Sequence, residues 1–186
     1  VGAAVSTYGW HFLGSTLRDG SPIPRDGVWL PTIRNIEPCV RGYHGSKEPW
    51  DALKFAPGNN LCYCEYRGRV IEHGDPVDKF VAQERRIIVR MDAEELLYYF
   101  ARMQALSVLA NWSEEPDDAV FEWLLGGDSA ARSAARSAAR SAARSAARSA
   151  ADSEARWAAR WAAREDFNAL IYECFESVVN SDGSHK

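Results

Sequence analysis

Ser129-Ala130-Ala131-Arg132 repeats through Arg148 as five successive SAAR tetrads, then continues as SAAD (149–152), SEAR (153–156), WAAR (157–160) and WAAR (161–164). Nine consecutive tetrads without Gly or Pro predict one long helix, because Ala and Arg are strong helix formers and Ser costs little. A helix turns about 100° per residue, so a four-residue step overshoots one turn by about 40° and identical side chains wind slowly around a rod of roughly 54 Å. A core-facing helix shows apolar residues with a period of about 3.6. The longer period of the repeat suits an exposed rod or a partner that wraps with a right-handed sense.

The fourth position of each tetrad sets a stripe of Arg132, Arg136, Arg140, Arg144 and Arg148 with no acid between them. Like charges four residues apart repel on a helix, by a few tenths of a kcal/mol for each pair, so the stripe calls for acid from elsewhere. Three readings fit it: a solvated spacer, a helix that packs within the chain or against a second copy, and a helix that tracks the phosphates of a nucleic acid. A membrane-surface helix needs large apolar side chains on one face, and the tract offers only Trp157 and Trp161. No membrane partner is expected.

Charge bookkeeping separates these partners. The whole chain carries −4, but residues 92–128 carry −8 and residues 129–164 carry +6. A strongly acidic segment thus directly precedes the basic one. Gly126-Gly127 between them suits a chain reversal, and Asp128 can cap the following helix. Acid from the same chain or a second copy competes with phosphate, which favours intramolecular packing or homo-oligomer assembly over nucleic acid. Exposed ion pairs are individually weak, so these charges set register more than stability. The apolar seam of the packing is expected at Trp157 and Trp161.

The remainder reads as a small, mainly β domain over residues 1–91 with one short helix. Tyr8–Leu13 predicts a strand, and Arg85–Met91 predicts a buried one. Leu61–Arg67 and Arg69–His73 are expected to pair about Gly68. Ser46-Lys47-Glu48-Pro49 starts a helix that Pro57-Gly58 stops. Asp92-Ala93-Glu94-Glu95 resembles a capping box. It opens a helix to about Asn111 with Leu96, Leu97, Phe100, Met103 and Leu106 or Leu109 inward. A second acidic helix follows from Ser113, with Val120, Phe121, Leu124 and Leu125 apolar. Beyond the repeats, Phe167, Leu170, Ile171, Cys174, Phe175 and Val178 recur at helical spacing, ready to meet a core or a partner. The expected architecture is therefore α+β. A β domain (1–91) is followed by an acidic helical segment (92–127), a long Ala/Arg-rich helix (128–180) and a disordered tail (181–186).

Aromatic residues are plentiful, with seven each of Trp, Tyr and Phe, enough for a real core. Val1-Gly2-Ala3-Ala4-Val5 has neither the basic start nor the apolar core of a secretory signal. Cys39, Cys62, Cys64 and Cys174 show no disulfide-framework spacing, so a reducing, cytoplasmic setting is expected. Cys62 and Cys64, two apart on a strand, share a face. With Cys39, His44 or His73 they reach the donor count of a zinc site, but no C-x-x-C knuckle is present, and buried free thiols are the simpler reading. No metal is expected. Asp75, Asp78 and Lys79 lie in a polar loop that caps the next strand or meets a ligand. No P-loop, nucleophile elbow or dinucleotide fingerprint occurs.

His11 on a strand, then Tyr43-His44-Gly45-Ser46 entering a helix, then a later Glu72 or Glu84, resemble the three-motif core of ADP-ribosyltransferase-type NAD sites. The resemblance implies a catalytic set of His11, Tyr43, His44 and Glu84, with NAD as cofactor. In it the histidine binds the nicotinamide ribose, the aromatic stacks on nicotinamide and the Glu orients the reaction. The competing reading makes both histidines structural, and then no cofactor is expected.

A wider set of motifs also occurs: Trp10-His11-Phe12, Leu17-Arg18-Asp19-Gly20, Gly42-Tyr43-His44, Asp51-Ala52-Leu53, Ala56-Pro57-Gly58, and His73 through Lys79. Over about residues 8–125, and in its repeat style, the chain resembles an uncharacterised family of bacteria and their phages in which such a domain precedes Ala-rich short repeats. That resemblance implies a bacterial or phage cytoplasmic setting and brings no activity. The reading that best joins these features is a non-enzymatic binding or assembly protein.

Overall fold

Trp10 and Phe12 alternate with His11 and Leu13, and that alternation gives the first strand two packed faces at the edge of a curled sheet. The computed structural model describes residues 6–107, Asp118, Glu122 and residues 153–179. Its described residues up to Glu94 form one compact unit together with those from Asp166 onward, and those from Glu95 to Glu165 belong to a second. In the first unit, β1 (Thr7–Leu13), β2 (Tyr43–Gly45), β3 (Asn60–Gly74) and β4 (Val77–Asp92) make one antiparallel sheet in the order β1-β3-β4-β2. The fold is thus mixed α+β with a β-rich N-terminal region, as the sequence implies.

Period-two patterning gives each strand two faces. Trp10 lies opposite Tyr63 and Phe12 opposite Leu61, while His11 lies opposite Cys62. On the His11 side the core gathers Leu13, Cys62, Cys64, Tyr66, Phe80, Ala82 and Ile87. The edge strands β1 and β2 then meet: the Trp10 and Ser46 backbones exchange N–H···O bonds of 2.8 and 3.0 Å. The sheet therefore curls back on itself. Two glycines permit this close approach. A Cβ on Gly9 would sit 2.7 Å from the Ser46 carbonyl, and one on Gly45 would sit 2.4 Å from the Tyr66 hydroxyl.

The expected hairpin about Gly68 does not form. Leu61–Arg67 and Arg69–His73 belong to one strand, β3, and both halves pair with β4: Arg67 faces Glu84 and Val70 faces Ala82, with a register shift between them. Gly68 takes a left-handed φ of 81°, which places it as a bulge residue. A two-residue loop is the common minimum for a tight hairpin, and one glycine falls short of it. The reversal comes instead at Gly74–Val77, across a cis Asp75–Pro76 bond. The loop after β1 runs back along the rest of β4, where the N–H groups of Gly27, Leu30 and Ile33 donate to the carbonyls of Ile87, Arg85 and Gln83.

Pro49 opens the short helix α1 (Pro49–Leu53), where a missing N–H costs nothing. After β4, Asp92 caps α2 (Glu94–Ser107) by accepting from the Glu94 N–H at 3.0 Å. Leu96, Leu97, Phe100 and Leu106 on α2 are half-buried, but Met103 is 43% exposed and does not share the inward side expected of it. The long C-terminal helix α3 runs Ser153–Val179. Phe167, Ile171 and Phe175, four residues apart, are buried. Trp10 packs edge-on against Tyr172 and Phe175 with ring centroids 5.8 and 5.0 Å apart, and Trp50 meets Phe167 at 5.8 Å. The apolar stripe of α3 is thus spent on the chain's own sheet and on α1. Leu170 is half-buried and Cys174 exposed.

The SAAR tetrads of 129–148, the second acidic helix expected from Ser113, and the 181–186 tail lie outside the described residues. Among the described residues no helix is long and apolar enough to cross a membrane.

Candidate functional site

A cavity of about 600 Å³ opens where β1 and β2 converge. Its walls come from β1 and the turn after it (Trp10, His11, Leu13 through Arg18), from β2 and Ser46, and from Ala52, Phe55, Pro57, Cys39 and Lys79. The volume suits a small organic ligand, since such pockets hold roughly 300–1,000 Å³. His11 and His44, more than thirty residues apart in sequence, both line it.

The two imidazoles differ in their partners. The His44 Nε2 accepts from the Cys39 backbone N–H at 3.0 Å, and a hydrogen bond with the Gly42 backbone acts on the same ring. His44 thereby braces the tight turn before β2, in which Cys39 itself takes a φ of 64°. Burial, then the charge of Arg18, holds the His44 pKa below the usual imidazole value against that Gly42 bond. None of the hydrogen bonds found among the described residues engages the His11 ring. Burial first, then Arg85 and then His44, hold its pKa well below the usual 6.5. His11 is therefore a neutral imidazole at pH 7, able to donate through one nitrogen and accept through the other.

Arg85 is the charge behind both histidines. It is only 4% exposed, lies against Tyr66, and stands over the Tyr43 ring at 5.4 Å from its centroid. Its Nε has no hydrogen-bond partner among the described residues. Lys47, Lys54, Arg67, Arg86 and Arg90 form ion pairs in this unit, and Arg85 is in none of those among the described residues. Arg18 and Lys79, on the cavity wall, are likewise absent from them. The Lys79 ammonium lies 4.3 Å from the centroid of the Phe55 ring. Asp19, next to Arg18, is taken up by Ser21, whose N–H and hydroxyl donate to it at 3.0 and 2.6 Å.

Tyr43 and Glu84 are not among the cavity-lining residues. The Tyr43 hydroxyl donates to the Pro31 carbonyl at 2.8 Å, and burial raises its pKa. Glu84 accepts from Thr32 at 2.7 Å and pairs with Arg67, and those hydrogen bonds lower its pKa. Of the alternative glutamates, Glu72 pairs with Lys47 on the surface.

Cys62 and Cys64 do share a face, and both are buried in the core. A hydrogen bond between the two thiols, then burial, pushes Cys62 up in pKa. Cys39 and Cys174 are exposed free thiols. Among the described residues no three His, Cys, Asp or Glu side chains converge as metal donors. Trp161 is 55% exposed, with the Arg164 guanidinium 5.4 Å from its ring centroid. Arg132, Arg136, Arg140, Arg144 and Arg148 lie outside the described residues, as does the Trp157 side chain.

Sequence reasoning missed Arg18, Phe55 and Arg85. Arg85 had a legible signal: it stands two residues before Ile87 in a β-branched run, so strand alternation puts it on the core side. Compared with protein-family models, with curated proteins and with solved structures, the chain matches none.

Proposed function

We propose that this is a non-enzymatic binding and assembly protein of bacterial or phage origin. Its β-rich domain receives a small ligand, and its Ala/Arg-rich tract mediates association between copies or packing within the chain. One observation carries the ligand half: Trp10, His11, His44 and Phe55 surround a cavity of ligand size, with a neutral imidazole that has bonding capacity to spare. The assembly half rests on the opposed charges of 92–128 and 129–164 and on the exposed Trp161 beside the repeats.

Ligand binding is read from the imidazole nitrogen resonances of His11 and His44. Phenol and indole, as neutral aromatic probes, shift His11 when they enter the cavity. Signals that stay still at saturating probe remove the ligand half. For assembly, sedimentation velocity over a wide concentration range shows species larger than the monomer, or a monomer throughout, which removes self-association.

An NAD-using transferase is the second reading, favoured by the meeting of His11 and His44 in one cavity. Tyr43 and Glu84 count against it, since each is engaged away from the cavity wall. NAD titration with a nicotinamide-release assay decides it: release that depends on His11 supports the transferase, and neither heat nor release rejects it.

A further inference from the structure

We infer that the His11 cavity is built for an organic anion, with a phosphate ester as the best-fitting class, whose charged end is held by Arg18 and Lys79 and whose body lies along Trp10, Leu17 and Phe55. The inference rests on the cavity being a ligand site, as proposed above.

The lining residues include two cationic side chains and no carboxylate. None of the ion pairs among the described residues reaches Arg18 or Lys79, so both charges on the cavity wall face it without a protein counter-ion. The two neighbouring acids stand off the cavity wall, and neither lines the cavity. Asp19 accepts from Ser21 through one oxygen. Asp78 faces Lys54 at 3.6 Å through Oδ2, while its buried Oδ1 has no hydrogen-bond partner among the described residues.

Arg85 supplies an independent observation. Burying a guanidinium is costly unless a counter-charge and hydrogen bonds offset it. Arg85 is nine-tenths buried with an orphaned Nε, and its positive potential falls on His11 and His44, both of which line the cavity. An anion placed there relieves the potential of three cations at once. The cavity exceeds what a bare phosphate fills, and much of its wall is apolar or aromatic, so the anion carries an organic body. A neutral His11 adds a directional hydrogen bond without another charge. Phosphate esters suit this arrangement because they accept several charge-assisted hydrogen bonds from Arg and Lys.

The test uses the full chain and three probes: phenyl phosphate, inorganic phosphate and phenol. Binding is followed through the His11 imidazole resonance. Phenyl phosphate binds tightest, inorganic phosphate moves the same resonance more weakly, and both raise the His11 pKa because an anion offsets Arg85. The double variant Arg18→Ala/Lys79→Ala changes only partly or fully exposed side chains. It weakens phenyl phosphate about tenfold or more, equivalent to about 1.4 kcal/mol, and leaves phenol unchanged. Inorganic phosphate matching phenyl phosphate identifies a free-anion site and overturns the organic half. Phenyl phosphate binding no tighter than phenol, or unaffected by the double variant, overturns the anion assignment while the ligand site stands. If no probe moves His11, the ligand site and the anion assignment fall together.

Discussion

The side chain of Asn168 on α3 accepts the backbone N–H of Trp50 at 2.9 Å, so the first turn of α1 is capped by a residue 118 positions away in the chain. The local N-cap residue, Glu48, makes no side-chain cap of its own. Its carboxylate instead accepts from the Asn168 amide at 3.1 Å and the Tyr172 hydroxyl at 2.8 Å. Removing a helix cap costs about 0.5–2 kcal/mol, and an orphaned buried partner adds about 1–3 kcal/mol. Asn168→Ala is expected to destabilise the protein by about 2 kcal/mol, read as a lower midpoint in urea unfolding. An unchanged midpoint contradicts the capping role.

Along α3 the cost of truncation should change abruptly. Phe167 and Ile171 are fully buried, whereas Trp161 is 55% exposed. Large-to-small changes in a core cost about 3–5 kcal/mol for Phe→Ala and about 2–5 for Ile→Ala. Exposed substitutions usually stay within about 0.5 kcal/mol. Phe167→Ala and Ile171→Ala should therefore shift the unfolding midpoint strongly, and Trp161→Ala hardly at all in the dilute monomer. A large loss at Trp161 under those conditions would place that ring in a packed interface.

Closure of the sheet depends on the absence of a side chain at position 45. A methyl group there meets the Tyr66 hydroxyl at 2.4 Å and the Phe80 ring at 2.9 Å. Overpacking of this kind costs about 1–3 kcal/mol. Gly45→Ala is expected to lower stability by that amount and to shift the imidazole resonance of His44, whose carbonyl accepts the Tyr66 hydroxyl at 3.2 Å. A variant as stable as the wild type, with its His44 signal in place, refutes the closure described here.

Acid should weaken the fold through the two cavity histidines. Both have folded-state pKa values below the usual 6.5, while the unfolded chain takes up protons near about 6.5. The unfolded state therefore binds more protons as pH falls below that value, and stability drops with it. The contribution is fully present above about pH 6.5 and declines below it, by at most about 1.4 kcal/mol per pH unit for each histidine. His11→Gln should flatten the stability profile on the acid side, measured as urea midpoints across a pH series. An unaltered slope shows that His11 takes up its proton equally in both states.

Much of the local structure was legible in the residues. Strand alternation in Tyr8–Leu13 and the β-branched run Arg85–Met91 mark β1 and the end of β4. Asp92 announces the start of α2, and the spacing of Phe167, Ile171 and Phe175 marks a buried helical stripe. These features follow from backbone preferences and burial periods that act over a few residues. The α+β class and the shared face of Cys62 and Cys64 follow from the same local rules.

Long-range partners were decided only by tertiary structure. Gly68 reads as a turn in isolation, but pairing with β4 on both sides turns it into a bulge inside one strand. Glu84 carries the right chemistry for a reaction, yet it is held by Thr32 and Arg67 away from the cavity, while its neighbour Arg85 is buried behind His11 and His44. Whether the α3 stripe meets its own domain or a second copy depends on which apolar surface is left open, and Trp10 and Trp50 offer one on the same chain. The meeting of His11 and His44 depends on the curl that brings β1 to β2. That curl is set by sheet register and by the small size of Gly9 and Gly45 acting together, a relation between distant positions that no local pattern encodes.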